Sequence, residues 1–417
     1  MTTDVLYTTH ATDTAEVLSG LEKFYYMMDA NTPTHPCIAI EVDGEISIDQ
    51  WHVGIAKVAS RSPVLFSRIV RNRGGLLVFE PISDTSLPFH VVSGDPSEWQ
   101  RVMAEEVSTR IQLERGPLFR ATLLHDSHRA TLLLSLSHCV ADGRSVLALI
   151  RDVLCTFADE PLGLPSAERS IDSLLTEATA GTWKPTLAPV YTLQSDMTPS
   201  NHEALLHLET HCFDEHLMAK LKVRAKEERA TIHGAIHAAL ARLLGSDGIP
   251  PSGFVTSGID VRPTLAPGEE GLRPLISSCT IKLVNERRLS FWDYARATKE
   301  VLRQQNRLEA ILALHTKVAE LCAAYPTPER LREYLIPKSK EPEILLTNLG
   351  VFPIPVSYGG GSIRLKSFWA SINPTHPNTH FLCCSTVDGR MQVLYTSFTP
   401  LPALFDKIQN EFLAAII

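Results

Sequence analysis

The sequence has no Cys-x-x-Cys pair: its eight cysteines stand scattered at positions 37, 139, 155, 212, 279, 322, 383 and 384. In a chain of 417 residues this excludes a small disulfide scaffold, and reduced thiols in a cytoplasm are the expectation. No apolar run reaches the roughly 18 residues that span a bilayer, so no membrane span is predicted. The opening Met-Thr-Thr-Asp-Val-Leu-Tyr-Thr-Thr-His lacks the basic region and apolar core of a secretory signal. Positive charge is in deficit, with 39 Lys and Arg against 47 Asp and Glu. No basic block emerges either, which excludes a nucleic-acid footprint. A fixed repeat is also missing. What remains, 44% hydrophobic and 21% charged residues, is the composition of a globular protein. The length exceeds the roughly 250–300 residues over which one core grows, so two domains or subdomains are expected.

The stretch Thr131 to Leu154 organises the chain, because its period changes at a reactive side chain. Residues 131–136 are almost continuously apolar, as in a strand covered on both faces. Val146, Leu147, Leu149, Ile150, Val153, Leu154 and Phe157 recur at helical spacing. Between them lies His138-Cys-Val-Ala-Asp142-Gly143. Gly143 suits a tight exit from the strand, in a backbone conformation that residues with a Cβ avoid. His138 stands at the strand end, where side chains project into clefts. Two readings of it follow: a hydrogen-bonded core histidine, or a general base, since imidazole titrates near neutrality and takes a proton from an attacking hydroxyl or amine. Sixteen histidines give about 0.04 chance matches to H-x-x-x-D-G, so the spacing is suggestive. Cys139 beside the base could be read as a nucleophile, but as its neighbour it points the opposite way.

Around this stretch the periodicity predicts a helix over 15–28, a strand over 36–42, and a helix capped by Ser47 and running to about Ser60. A strand near 75–80, a helix near 97–111, an antiparallel pair 118–125 and 130–137, and the motif helix 143–158 complete a first half, residues 1–158. Prolines and fading periodicity mark 159–202 as a linker or crossover, with a turn or two of helix at 170–178. The second half, 203–417, opens with a strand over 204–213 and helices capped by Asp214 and Thr231. It continues with strands at 253–260 and 275–284, helices at 291–306, 308–324 and 328–335, and strands near 343–348, 361–368, 380–387 and 391–397. A terminal helix follows from Pro402. The aromatic and methionine cluster of Leu21 to Met28 reads as core. His233 and His237 have metal-ligand spacing but no following Glu and no third ligand, so no metal is predicted. Lys220, Lys222, Arg224, Lys226 and Arg229 read as a solvated helix face. Tyr358-Gly-Gly-Gly-Ser362 reads as a flexible crossing or lid.

His138 to Gly143 resembles the H-x-x-x-D-G signature of the acyl-CoA-dependent acyltransferase superfamily, which includes nonribosomal peptide condensation domains, polyketide-associated acyltransferases, alcohol acetyltransferases and plant BAHD enzymes. Leu113-Glu-Arg-Gly-Pro-Leu-Phe-Arg-Ala121 is similar to the run before the motif strand of condensation domains, and Arg61-Ser-Pro-Val-Leu-Phe-Ser-Arg68 to their early R-H-P-x-L-R segment. Asp260-Val-Arg-Pro263 and Thr347-Asn-Leu-Gly350 resemble the D-x-R and S-N-x-G elements in order and spacing. Ser137 stands where condensation domains have the first His of a pair, and the D-F-G-W-G element is absent; both departures favour a stand-alone ester-forming branch.

The resemblance implies an α+β fold of two chloramphenicol-acetyltransferase-like subdomains with the active-site tunnel at their interface. It implies an acyltransferase that moves an acyl group from CoA or a carrier-protein thioester to a hydroxyl of a secondary-metabolite or lipid-like acceptor, with His138 as general base and no acyl-enzyme. Asp142 either orients the imidazole or, as the family pattern implies, turns away to pair with Arg262. Gly143 would take the turn and contact the pantetheine arm. Asn348 and Gly350 would line the tunnel, with the Asn348 amide donating to the oxyanion; the alternative is a turn residue that satisfies its own backbone. No cofactor would be permanently bound, acyl-CoA or an acyl-phosphopantetheine carrier protein being the co-substrate, and a monomer would complete the site. Amide formation, and a non-catalytic or recruited acyl-binding role, are the alternatives.

Overall fold

The computed structural model describes residues 15–163, 167–191, 206–246, 249–284, 289–335, 342–352 and 354–417. Among them the helices are α1 (Gly20–Asn31), α2 (Ile48–Ala59), α3 (Trp99–Ser108), α4 (Gly143–Phe157), α5 (Ile171–Ala178), α6 (Glu215–Glu227), α7 (Ile232–Leu243), α8 (Arg262–Leu265), α9 (Phe291–Gln305), α10 (Leu308–Ala324), α11 (Pro328–Leu335) and α12 (Leu404–Ala415). The strands are β1 (Cys37–Asp43), β2 (Ser67–Arg71), β3 (Leu77–Pro81), β4 (Phe89–Val92), β5 (Phe119–His125), β6 (Arg129–Leu136), β7 (His207–Cys212), β8 (Ser252–Asp260), β9 (Ile276–Val284), β10 (Glu343–Val351), β11 (Ser357–Tyr358), β12 (Ile363–Ser371), β13 (Thr379–Val387) and β14 (Arg390–Ser397).

Side-chain caps set most of the helix starts. Ser47 and Gln50 form a capping box at α2, Ser290 and Asp293 another at α9, and Asp214, Thr231 and Ser170 accept from the first turns of α6, α7 and α5. Helix α1 starts later than its periodicity predicts. Ser19 and Glu22 box its first turn, and Val17 bridges to Val78 instead. The short strands β2 and β4 have no predicted counterpart, because Ser67, Arg68 and Arg71 in the one and the exposed His90 and Val91 in the other break the apolar pattern. Of the strand predicted at 204–213, residues 204 and 205 lie outside the described residues.

Two six-stranded sheets carry the molecule, in the orders β11-β12-β1-β6-β5-β4 and β7-β14-β13-β10-β8-β9. The division by sheet differs from the division by chain position. Strands β11 and β12 belong to the second half of the sequence but complete the first sheet, β12 running antiparallel to β1 from Cys37↔Ser371 to Asp43↔Arg364. β1 pairs with β6 on its other edge, so an apolar strand has both edges and both faces covered. The three glycines at 359–361 make the tight turn between β11 and β12, at φ of 56°, 64° and 100°, and Glu160 accepts from the Gly359 N–H at 3.0 Å. They form a hairpin turn in place of the predicted flexible crossing or lid, since only glycine takes three consecutive positive φ values without strain.

The crossover is likewise built in. Ile171, Leu174 and Leu175 of α5 are buried with Leu21 from the first half and Val261, Leu275 and Ile311 from the second.

Candidate active site

Strand β6 leads to the site. Leu132, Leu134 and Leu136 face the main core of the first lobe, whereas Leu133 packs with Trp99, Val102, Met103 and Val107 of α3. Burial on both faces is why the strand reads as unbroken hydrophobicity. After Leu136 the chain turns, with the Val140 and Ala141 amides both donating to the Ser137 carbonyl at 3.0 and 3.2 Å. Asp142 then caps α4, its Oδ1 accepting from the amides of Arg144 at 3.0 Å and Ser145 at 2.9 Å.

His138 thus lies in the turn, just beyond the strand. Its Nδ1 is 3.0 Å from the Ala141 carbonyl oxygen. A carbonyl only accepts, so Nδ1 carries the proton and Nε2 keeps its lone pair. The ring lies flat on Tyr25, with centroids 4.1 Å apart and planes 4° from parallel. His138 keeps part of its surface open, yet the protein around it desolvates the imidazolium and lowers its pKa below the usual 6.5; the Asp142 carboxylate and the Ala141 carbonyl only partly offset this. The result is a neutral imidazole with one free basic nitrogen.

Asp142 faces away from that ring. Arg262 of α8 grips it twice, Nη1 to Oδ2 at 2.9 Å and Nη2 to Oδ1 at 3.2 Å, and the Leu275 amide donates to Oδ2 at 2.8 Å. Arg262 also donates to Asp260 Oδ1 at 3.0 Å and to the Arg273 carbonyl at 3.1 Å. Both charged groups are buried, at 1% and 7% exposure of the side chains. Burial alone would raise the Asp142 pKa, but the Arg262 guanidinium and the backbone donors hold it below the ordinary value. The pair joins the end of β6 in one lobe to the end of β8 in the other. Asp142 makes no contact that would orient the imidazole, a task taken by the Ala141 carbonyl.

Gly143 does not adopt a positive φ; it is the first residue of α4. The expectation of a special backbone conformation is corrected to one of space, because a Cβ here would meet Leu349 Cδ2 at 2.9 Å. Cys139 is buried with Sγ directed at the Glu22 carbonyl, 3.4 Å away, and burial pushes its thiol pKa up, so it is no nucleophile.

Opposite the motif, two parallel strands separate. β8 pairs with β10 from Phe254↔Glu343 to Ser257↔Leu346 and no further, although β9 follows β8 to Asp260. The diverging ends, Gly258–Asp260 and 347–351, carry the residues that touch the motif: Asp260 pairs with Arg262 and stands 3.6 Å from Arg144, and Leu349 covers Gly143. Asn348 and Gly350 lie on this end of β10. Asn348 Oδ1 accepts from the Gly350 amide at 2.9 Å, where β10 bulges against β13 and Gly350 has φ of 69°. The amide oxygen therefore satisfies its own turn, which leaves the Nδ2 hydrogens as the donor half.

Tyr25 and the Ala141 carbonyl had no signal in the sequence. Tyr25 sits in a cluster that reads as core, and a backbone oxygen has no side chain to find. His233 and His237 both place Nε2 on the Ser257 hydroxyl, at 2.8 and 2.9 Å. Burial pushes His233 down to about 4 and His237 well below 6.5. No group of His, Cys, Asp or Glu among the described residues could hold a metal ion. Lys220, Lys222, Lys226 and Arg229 are exposed, and Arg224 pairs with Glu228 at 3.0 Å, as a solvated face requires. All eight cysteines are free, and no described helix is long and apolar enough to cross a membrane.

No family model matches the chain. A linear gramicidin synthase of Brevibacillus parabrevis is 24% identical over 255 residues, 54% of this chain but 3% of that far longer protein. Among solved structures, the polyketide synthase associated protein 5 of Mycobacterium tuberculosis is similar over 96% of this chain and 98% of its own, with TM-score 0.67 and 15% identity. The first condensation domain of the calcium-dependent antibiotic synthetase is similar over 98% of both chains, with TM-score 0.66 and 13% identity. The condensation domain of the monacolin K polyketide synthase is similar over 98% of this chain and 97% of its own, with TM-score 0.62 and 13% identity. Two sheets and near-complete coverage agree: this chain has the fold of the condensation domains and of the polyketide synthase associated protein.

Proposed function

We propose that the chain is an acyltransferase of natural-product biosynthesis, moving an acyl group from CoA or a carrier-protein phosphopantetheine thioester to a hydroxyl of a small-molecule acceptor. The observation that carries this reading is the tautomer of His138, whose Nδ1–H is bound to the Ala141 carbonyl while a neutral Nε2 stands free beside the lobe interface. Nε2 takes the hydroxyl proton as the acceptor oxygen attacks the thioester carbonyl carbon. The tetrahedral intermediate collapses by breaking the C–S bond, and the imidazolium returns the proton to the leaving thiolate. Chemistry of this kind needs no acyl-enzyme. The Asn348 Nδ2 hydrogens are the proposed donors to the oxyanion, since the oxygen of that amide is already used.

A second reading, amide formation, draws on the likeness to a gramicidin synthase. Free-thiol release over acetyl-, hexanoyl- and palmitoyl-CoA and the matching acyl carrier proteins, each with 1-octanol or 1-octylamine, separates the two. Turnover with the alcohol that is lost in His138→Ala supports ester formation; turnover with the amine alone supports the second reading. No thiol release from any donor overturns both and leaves a binding role; full activity in a folded His138→Ala protein overturns His138 as the base and assigns proton removal to another group.

A further inference from the structure

Helix α1 brings one more group to the site. A hydrogen bond through Nδ1 fixes one atom of the His138 ring, but the ring still tilts about the line to the Ala141 carbonyl. A flat surface against its face removes that freedom, and Tyr25 is such a surface: 4.1 Å between centroids, 4° between planes. Phe24 closes on the edge of the Tyr25 ring at 5.9 Å and 66°. The Phe24 contact lies within the range of favourable edge-to-face pairs, and the Tyr25 and His138 rings stack closer still, nearly parallel.

The support under Tyr25 comes from three directions. The Gly20 amide donates to Asp172 of α5 at 3.1 Å, and the Lys23 amine to the Ala188 carbonyl at 2.8 Å. Buried Arg273, from the second half of the chain, donates to Glu22 at 2.9 Å. The crossover and the second lobe thus set where the Tyr25 ring lies. We infer that Tyr25 is a positioning residue, whose ring holds the plane of the His138 imidazole and so fixes the direction of the Nε2 lone pair. The inference rests on His138 being the base.

Imidazole NMR on the full chain labelled at histidine tests it, with His138 assigned by its absence in His138→Gln. The wild type is expected to show a single tautomer protonated at Nδ1, with ring protons shifted by the Tyr25 ring current. Tyr25→Phe keeps both features; Tyr25→Leu keeps the Nδ1 tautomer, which the Ala141 carbonyl holds, but shows wider ring motion in His138 carbon relaxation. In the thiol-release assay with hexanoyl-CoA and 1-octanol, Tyr25→Phe stays within about twofold of wild type, whereas Tyr25→Leu loses about tenfold or more in kcat with little change in KM, part of the 10²–10⁴ a base supplies. Unaltered His138 ring relaxation in Tyr25→Leu overturns the inference. So does a Tyr25→Phe protein as impaired as Tyr25→Leu, which would assign the effect to the hydroxyl. If His138→Gln turns over like wild type, or no donor is turned over, it is the base that fails, and the NMR still decides the positioning.

Discussion

At the scale of single residues the site rests on one proton position. With Nδ1–H held by a carbonyl, His138→Ala is expected to lower kcat by about 10²–10⁴ while the fold persists, read by thiol release beside a thermal melt. The pH dependence follows from the same surroundings. Burial lowers the pKa of His138, so the base is neutral and active at pH 7, and kcat/KM falls with acid only below the usual 6.5. An acid limb above 6.5 would contradict the desolvated site. Asp142 and Arg262 belong to stability. Removing one member leaves a buried charge unpaired, at a cost of about 3–5 kcal/mol, and Asp142→Ala should melt well below wild type. The double variant Asp142→Ala with Arg262→Ala should lose less than the two single losses added together. A stable but inactive Asp142→Ala protein would instead make Asp142 an orienting group.

At the scale of elements the decisive contacts are those between α4, α1 and the strands that meet them. Gly143 opens α4 under Leu349, so Gly143→Ala forces the Leu349 side chain aside and should cost about 1–3 kcal/mol in denaturant unfolding. Leu349→Ala in the same chain should recover part of that loss. Asp172, which holds the start of α1, offers a test with a sign. Desolvation raises its pKa to about 6, above the unfolded value of 3.8, so the folded protein binds the proton more tightly than the unfolded chain. Its contribution is most favourable below 3.8 and is lost as pH rises through 6. Asp172→Asn, which still accepts from the Gly20 amide, is expected to raise the melting temperature at pH 7 and to have little effect near pH 4. An equal effect at both pH values would show that the carboxylate is not desolvated.

At the scale of the whole molecule the two halves are not separable. Without β12, β1 would present an apolar edge from Cys37 to Asp43, and edges of that kind pair with other chains. Residues 1–202 expressed alone are expected to aggregate, by light scattering; a soluble, folded fragment would mean that another segment covers the edge. Helix starts were legible because a cap is local: Ser47, Thr231 and Asp214 announce them within three residues. The motif was legible for the same reason, six consecutive residues spanning a strand exit and a cap. Its chemistry was less so. The tautomer of His138 depends on a backbone carbonyl, the face of its ring on a tyrosine more than 100 residues away in sequence, and the partner of Asp142 on an arginine in the other lobe. By itself the sequence determined most of the longer helices and strands and where a base could stand, since periodicity and caps act over a few residues. Only the tertiary structure decided that β12 crosses to β1, that Gly143 serves space and not backbone freedom, and that β8 and β10 part beside Gly143 and Arg144, because strand pairing and close approach join segments whose separation along the chain leaves no local mark.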